Sequence, residues 1–326
     1  MECICCNSSD TRKKFKKNNF HIYECSSCGF QFVYPMPSAS IIEAHYNKTR
    51  VSSDIRDKIK KYLLDFNTNP NNPKRDWYDG IVTKASKYLN LKSLNILEIG
   101  SAYGYFIDYC NNRGHKAIGT EVTQAFADAS KGLINGEVLC LKTDEYTKYF
   151  GEKKFDFIYL EHVFEHVLDP NELLETLKDL LTDHGLIILV VPNHKSFLAR
   201  LAGKHYLWTN PPDHLYYYDR NSLQTLAGKA GLQTVETYSG DYYHRSIYQF
   251  YSLDLFKHTF YRVLNKLFKM KINTQHSYKY PRNAADIITL IPYWVMYPLI
   301  NLLNKKYGMG NELTMILQKE TVHSPK

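Results

Sequence analysis

Apolar positions in this chain gather into short continuous runs separated by stretches of helical periodicity. Asn95 to Ile99, Lys116 to Thr120, Phe155 to Leu160 and Leu186 to Val191 each read as a strand, and the β-branched and leucine-rich runs among them suit burial on both faces. Between them the pattern predicts helices. One begins at about Tyr105. Another has Asp169 as N-cap and Pro170 in its first turn, runs through about Thr182 and stops at Gly185. A third spans about Asn221 to Lys229 and is capped by Gly231. This alternation predicts an α/β fold, a doubly wound Rossmann-like sheet that is mostly parallel and covered on both faces.

The first strand ends in chemistry. Leu97-Glu98-Ile99-Gly100-Ser101-Ala102-Tyr103-Gly104 breaks from an apolar run into a loop of small residues, where backbone N–H groups approach a nucleoside before the helix begins. A dinucleotide fingerprint, G-x-G-x-x-G, needs glycine at 102 and 105, and Ala102 and Tyr105 exclude it. The second strand ends in Glu121, 23 residues after Glu98, a spacing that puts a carboxylate at the neighbouring strand tip to accept from ribose hydroxyls.

These residues resemble the class I S-adenosylmethionine (SAM) dependent methyltransferases, whose first strand carries hhhE/DhG-x-G-x-G, here with Ala102 in place of the middle glycine. The fourth strand leads into Glu161-His162-Val163-Phe164-Glu165-His166-Val167-Leu168-Asp169-Pro170, similar to the E-H-V/I-x-D-P of that family. The resemblance implies a seven-stranded sheet with an antiparallel last strand, Glu312 to Lys319. It implies SAM as cofactor, with Glu98, Gly100, Ser101, Ala102, Tyr103 and Gly104 at the methionine end, Glu121 on the ribose, Asp144 near the adenine and Glu161 lining the site.

Four of the seven cysteines form Cys3-x2-Cys6 and Cys25-x2-Cys28, with 18 residues between the pairs, a zinc-ribbon spacing that brings four thiolates to one structural ion. Cys5 offers an alternative register to Cys6, while Cys110 and Cys140 read as buried small hydrophobes. Thiolate ligation and unpaired thiols predict a cytoplasmic protein. The run Arg12 to Lys17 between the knuckles reads as a solvated hairpin, with phosphate contact as the alternative. Cys28-Gly29-Phe30 through Pro37, followed by Ala44-His45-Tyr46, resembles a subgroup of bacterial methyltransferases from surface-polysaccharide and deoxysugar pathways. The expected organisation is a zinc ribbon over 1–37, a helical leader and linker over 38–76, the SAM-binding core over 77–244, a basic aromatic helical insertion over 245–310, and the last strand and tail over 311–326.

Charge singles out the insertion. Residues 245–326 hold twelve Lys or Arg against four Asp or Glu, which equals the whole-chain excess of +8. Phe256, Phe260, Val263, Leu267 and Phe268 recur at helical spacing beside Lys and Arg, which describes a basic amphipathic helix. The run Ile287 to Leu303 has 17 uncharged residues, but Pro292 and Pro298 interrupt it and argue against a membrane span. A lid, an oligomer interface and a membrane-surface contact are the readings of this segment.

Methyl transfer from a sulfonium needs a positioned acceptor and, for a hydroxyl or amine, removal of a proton. His162 is the preferred general base, with Glu161 and His166 beside it. His214, in Trp208-Thr209-Asn210-Pro211-Pro212-Asp213-His214, is expected across the site, and Tyr46 of the leader closes it. Some O-methyltransferases bind a divalent ion through E-x-x-E-H at this place; His162 stands where the first Glu would, which disfavours a hard cation. The expected function is methyl transfer to a small molecule, a nucleotide- or lipid-linked sugar. An RNA base methyltransferase is the alternative, although nucleic acid is disfavoured by the absence of an aromatic RNA-binding signature. The third reading is a SAM-binding zinc-ribbon scaffold without activity.

Overall fold

The structure is a computed structural model that describes residues 1–50, 54–69, 71–240, 302 and 307–320. Most of the expected insertion over 245–310, and the tail beyond residue 320, lie outside the described residues. The chain opens with two short hairpins, β1 (Thr11–Lys17) with β2 (Phe20–Cys25) and β2 with β3 (Gln31–Val33). Helices α1 (Ala39–Arg50), α2 (Ile55–Thr68) and α3 (Pro73–Leu89) lead into the core. The linker expected up to residue 76 gives way to helix at Pro73, because Asn72 caps α3 by accepting from the Lys74 N–H and Pro73 sits at the first turn.

The core then alternates: β4 (Asn95–Ile99), α4 (Tyr105–Asn111), β5 (Lys116–Glu121), α5 (Gln124–Ser130), β6 (Glu137–Cys140), α6 (Tyr146–Phe150), β7 (Phe155–Glu161), α7 (Pro170–Leu180) and β8 (Leu181–Pro192). After α8 (Phe197–Ala202) come β9 (Tyr216–Tyr217), α9 (Arg220–Lys229), β10 (Leu232–Gly240) and β11 (Glu312–Lys319). The large sheet runs β10-β11-β8-β7-β4-β5-β6, with β4 to β8 parallel and β11 antiparallel between β8 and β10. The expected seven strands and the antiparallel last one are present.

Alternation along the strands separates two cores. Leu97, Ile99, Ile158, Leu160, Ile187 and Leu189 point to one face, against Leu173, Leu177 and Leu180 of α7 and Leu223 and Leu226 of α9. Ile96, Phe157, Tyr159, Leu186 and Ile188 point to the other, against Tyr78, Ile81 and Val82 of α3 and Phe106 and Tyr109 of α4.

One boundary differs from expectation. The helix starting at Pro170 ends at Leu180, and Leu181 is already extended, paired with Phe155 and buried. Burying the Leu181 side chain in the sheet outweighs one more helical turn. Gly185 therefore lies inside a strand, where an added Cβ would come 3.0 Å from the Phe155 carbonyl oxygen. Of the two outlying cysteines, Cys110 is buried as expected and Cys140 only half so.

A second sheet, β1-β2-β3-β9, joins the N-terminal hairpins to the core: Phe32 pairs with Tyr216 and Gln31 with Tyr217. Phe30 stacks on Tyr216 at 6.0 Å, and the half-buried His194 approaches Gln31 Oε1 at 3.0 Å.

Leu177 is fully buried, so Leu177→Ala is expected to lower unfolding stability by about 2–5 kcal/mol. Tyr149→Ala, at an exposed position, should change it by no more than about 0.5 kcal/mol. Denaturant midpoints of the two variants check the comparison, and similar midpoints would count against the placement of α7.

Candidate active site

Strand order reverses at β4, between β5 and β7, and such a reversal opens a crevice beyond the carboxyl ends of the strands. The cavity there is lined by Glu98, Gly100, Ser101, Ala102 and Tyr103, with Tyr78, Tyr105, Phe106, Glu161 and His162 around them. The loop folds back on β5, as the Ser101 N–H donates to the Thr120 carbonyl at 2.9 Å. Gly104 takes φ of 73°, and a Cβ there would strike Ile134 at 2.5 Å.

Glu121 ties the loop to the next strand. Its carboxylate accepts from the Ala102 N–H at 3.0 Å and from the Thr123 N–H at 2.9 Å. That stands at the expected strand tip, although Glu121 is not part of the cavity lining. Asp144 is exposed in the turn after β6 and does not line the cavity either. Glu98 is buried and its Oε2 has no hydrogen-bond partner. Burial, with the Glu161 carboxylate nearby, pushes its pKa well above the usual carboxylate range against the pull of Lys74. Lys74, which the sequence reading missed, sits at the start of α3 and pairs with Glu161 at 2.6 Å.

Past the end of β7 the chain turns sharply, with His162 at φ of 53°, and enters the second cluster. Glu165 is its centre, only 1% exposed, with Oε1 at 3.4 Å from His162 Nδ1, 3.8 Å from His166 Nε2 and 4.0 Å from His214 Nε2. His162 Nε2 also lies 3.6 Å from Glu312 Oε1. Trp208 stacks on His162 at 4.9 Å and on His214 at 5.6 Å, and Tyr46 meets His166 edge-on at 6.2 Å. Tyr46, His162, His166 and His214 are thus together, while Glu161 lines the cofactor crevice and pairs with Lys74.

Burial works against charge on His162, yet Glu165 and Glu312 outweigh it and lift its pKa to about 10. Burial likewise raises Glu165, but the three imidazoles bring it down to about 2. The two carboxylates thus favour the protonated form of His162, the residue expected as general base. Glu312 was missed because only the register of β11 against β8, pairing Glu312 with Pro192, brings it alongside.

The N-terminal hairpins hold the segment that carries Trp208 and His214. Lys17 Nζ donates to the Tyr206 carbonyl, and Asn18 Nδ2 donates to Asn210 Oδ1 and the Pro211 carbonyl. The Val33 N–H donates to the Leu215 carbonyl at 2.9 Å, and the Leu215 N–H to the Glu165 carbonyl at 2.9 Å. At the far end of the hairpins, Cys3, Cys6, Cys25 and Cys28 bring their sulfurs within 4.8 Å of one another. Two of the sulfur pairs lie at 3.7 and 3.5 Å. Tetrahedral thiolates at a Zn–S distance of about 2.3 Å are separated by about 3.8 Å, which these positions fit.

Comparison with known proteins agrees with the geometry. The methyltransferase domain family matches residues 51–237. A ubiquinone biosynthesis O-methyltransferase of Coxiella burnetii is 22% identical over 167 residues, covering 48% of this chain and 70% of that protein. The protein of the same name from Dinoroseobacter shibae is 27% identical over 157 residues, covering 44% and 62%. Among solved structures, a SAM-dependent methyltransferase from Archaeoglobus fulgidus aligns at a TM-score of 0.46 and 16% identity, over 79% of this chain and 99% of the other. With a match over more than half its length and the strand-loop-helix crevice of a SAM site, the chain belongs to the methyltransferase domain family and is a SAM-dependent methyltransferase.

Proposed function

We propose that the methyl acceptor is a small molecule, a nucleotide- or lipid-linked sugar of surface-polysaccharide or related biosynthesis, bound over the cluster of Glu165. The observation that carries this reading is the adjacency of two polar sites. His162 lines the cofactor crevice on one side and belongs to the Glu165 cluster on the other, so methyl donor and acceptor meet across it. The N-terminal resemblance to sugar-pathway methyltransferases supports the acceptor class, and Trp208 and Tyr46 offer the aromatic faces on which a sugar ring packs.

The residues present fit SAM. The unpartnered Glu98 Oε2 in the crevice suits the ammonium of the methionine end, and the Gly100 to Gly104 backbone allows close approach. Glu121 keeps lone pairs for ribose hydroxyls after accepting its two backbone N–H groups. SAM supplies an electrophilic methyl group. Tyr46, His166 and His214 border the acceptor, the cluster receives its proton, and the His162 cation with Glu161 and Lys74 sets the charge between the two sites. Structural zinc on Cys3, Cys6, Cys25 and Cys28 holds the hairpins that carry Asn18 and β3. The protein is cytoplasmic, and residues 245–310 serve as a lid, an oligomer interface or a membrane-surface contact.

A second reading is an oxygen acceptor from ubiquinone-type biosynthesis, favoured by the names of the curated relatives. Incubation with methyl-labelled SAM and separated nucleotide sugars, lipid-linked sugars, quinone precursors and RNA tests these readings. Label in a sugar fraction is expected. Label in quinone precursors supports the second reading, label in RNA a base methyltransferase, and label nowhere a SAM-binding scaffold.

Removing the Glu121 carboxylate by Glu121→Ala is expected to weaken SAM binding by about 1.5–3 kcal/mol, measured by calorimetry. Unchanged affinity would remove Glu121 from the cofactor site. His214→Asn should keep SAM affinity and reduce turnover at least about 100-fold, the lower range for a proton-transfer group. For the hairpins, Cys25→Ser should lower the thiolate-bound zinc content well below one per chain and reduce the melting temperature. Retained zinc, measured by elemental analysis, would exclude Cys25 as a ligand.

A further inference from the structure

We propose that Lys17 and Asn18, at the tip of the first hairpin, are positioning residues for methyl transfer. Their side chains clamp the chain on either side of Trp208 and so set where Trp208 and His214 meet the acceptor. Lys17 Nζ donates to the Tyr206 carbonyl at 3.0 Å, two residues before Trp208. Asn18 Nδ2 donates to Asn210 Oδ1 at 2.9 Å and to the Pro211 carbonyl at 3.0 Å, just beyond it.

The turn itself does not call for these contacts. β1 and β2 are joined by two residues, Asn18 at φ of 48° and Asn19 at φ of 67°. A two-residue hairpin loop with both positions left-handed takes asparagine or glycine equally, so glycine at 18 would serve the backbone as well. Lys17 also goes beyond what a solvated hairpin needs. It is half-buried, and burial lowers its pKa, whereas its neighbour Lys16 stays exposed. A cation held where desolvation disfavours it, with its N–H on a backbone carbonyl, fastens one segment to the other.

From Asn210 the contacts run into the candidate site. Asn210 Nδ2 donates to Asp213 Oδ2 at 2.9 Å, and the Asn210 carbonyl accepts from the His214 N–H at 3.1 Å. Asp213 Oδ1 lies 3.2 Å from His45 Nε2, and the Asp213 carbonyl meets His166 Nδ1. Trp208 lies against His162 and His214. The polar links have a direction: Asn18 gives N–H groups, Asn210 receives on Oδ1 and gives from Nδ2, and the Asp213 carboxylate accepts. A carboxylate at position 18 would put lone pairs against Asn210 Oδ1 and the Pro211 carbonyl. Asn18→Asp therefore reverses the first link at nearly constant shape, and Asn18→Gly removes it. The clamp stands on these hydrogen bonds, while its role in turnover rests on the reading that the acceptor lies over the Glu165 cluster.

The test uses full-length, zinc-loaded protein carrying Lys17→Met, Asn18→Gly or Asn18→Asp, with Asn19→Gly as the control for the turn. Transfer is measured from methyl-labelled SAM to separated nucleotide-sugar and lipid-linked sugar fractions. Lys17→Met and Asn18→Gly should each lower kcat about tenfold at unchanged KM for SAM, and Asn18→Asp should lower it further. Asn19→Gly should stay within about twofold of wild type. Trp208 emission, isolated by difference from Trp208→Phe, should become more open to acrylamide quenching in Asn18→Gly and not in Asn19→Gly. Unchanged turnover in Asn18→Gly overturns the proposal, as does an equal loss in Asn19→Gly, which would assign the effect to the turn. Asn18→Gly carries the test if Lys17→Met does not fold. If wild type labels neither sugar fraction, the acceptor reading fails and Trp208 decides: increased quenching in Asn18→Gly supports the clamp, and equal quenching overturns it.

Discussion

Burial of the Glu165 carboxylate is the constraint on which the rest of the site depends. A charge at 1% exposure persists only with opposite charge around it, and here that charge comes from two separate places in the chain. His162 and His166 arrive with the turn after β7, and His214 with the loop before β9. Glu312, entering at the start of β11, joins through His162. The Glu165 backbone works in the same direction, since its carbonyl accepts from the Leu215 N–H and holds the His214 loop against β7. Satisfying one anion thus brings together the ends of β7, β11 and the 206–218 segment.

The N-terminal hairpins gain a purpose from this arrangement. They add strands to β9, lay Phe30 on Tyr216 and reach with Asn18 to Asn210 and Pro211, so they brace the loop that carries His214. The cofactor crevice is braced differently. Its loop is held from within the large sheet by Thr120 and Glu121. Donor and acceptor sides therefore rest on different supports and meet at His162.

Much of the fold was legible because strand and helix signals are local. The core strands, the start of α4, the Asp169 cap and the last strand stand where their patterns put them. The end of α7 did not, since Leu181 is apolar and suits either a last helical turn or a first strand residue, and its pairing with Phe155 settled the matter. Of the residues singled out in the sequence, Glu98, Gly100 to Tyr103 and His162 line the crevice, His166 and His214 gather about Glu165, and Glu121 stands outside the cavity lining. Lys74 and Glu312 were not singled out, because no local pattern distinguishes a charged residue at an element's start from one aimed into a cleft.

The chain by itself determined the order of elements, the nucleoside loop and the pairing of cysteines into two knuckles, all of which depend on neighbours within a few residues. Tertiary structure decided the charge states and the company of the polar groups. Whether His162 holds a proton depends on Glu165 and on Glu312, which lies 150 positions beyond it and arrives only through sheet register. Electrostatic energies follow distance in space and exclusion of water, and neither is written in the spacing of residues along the chain.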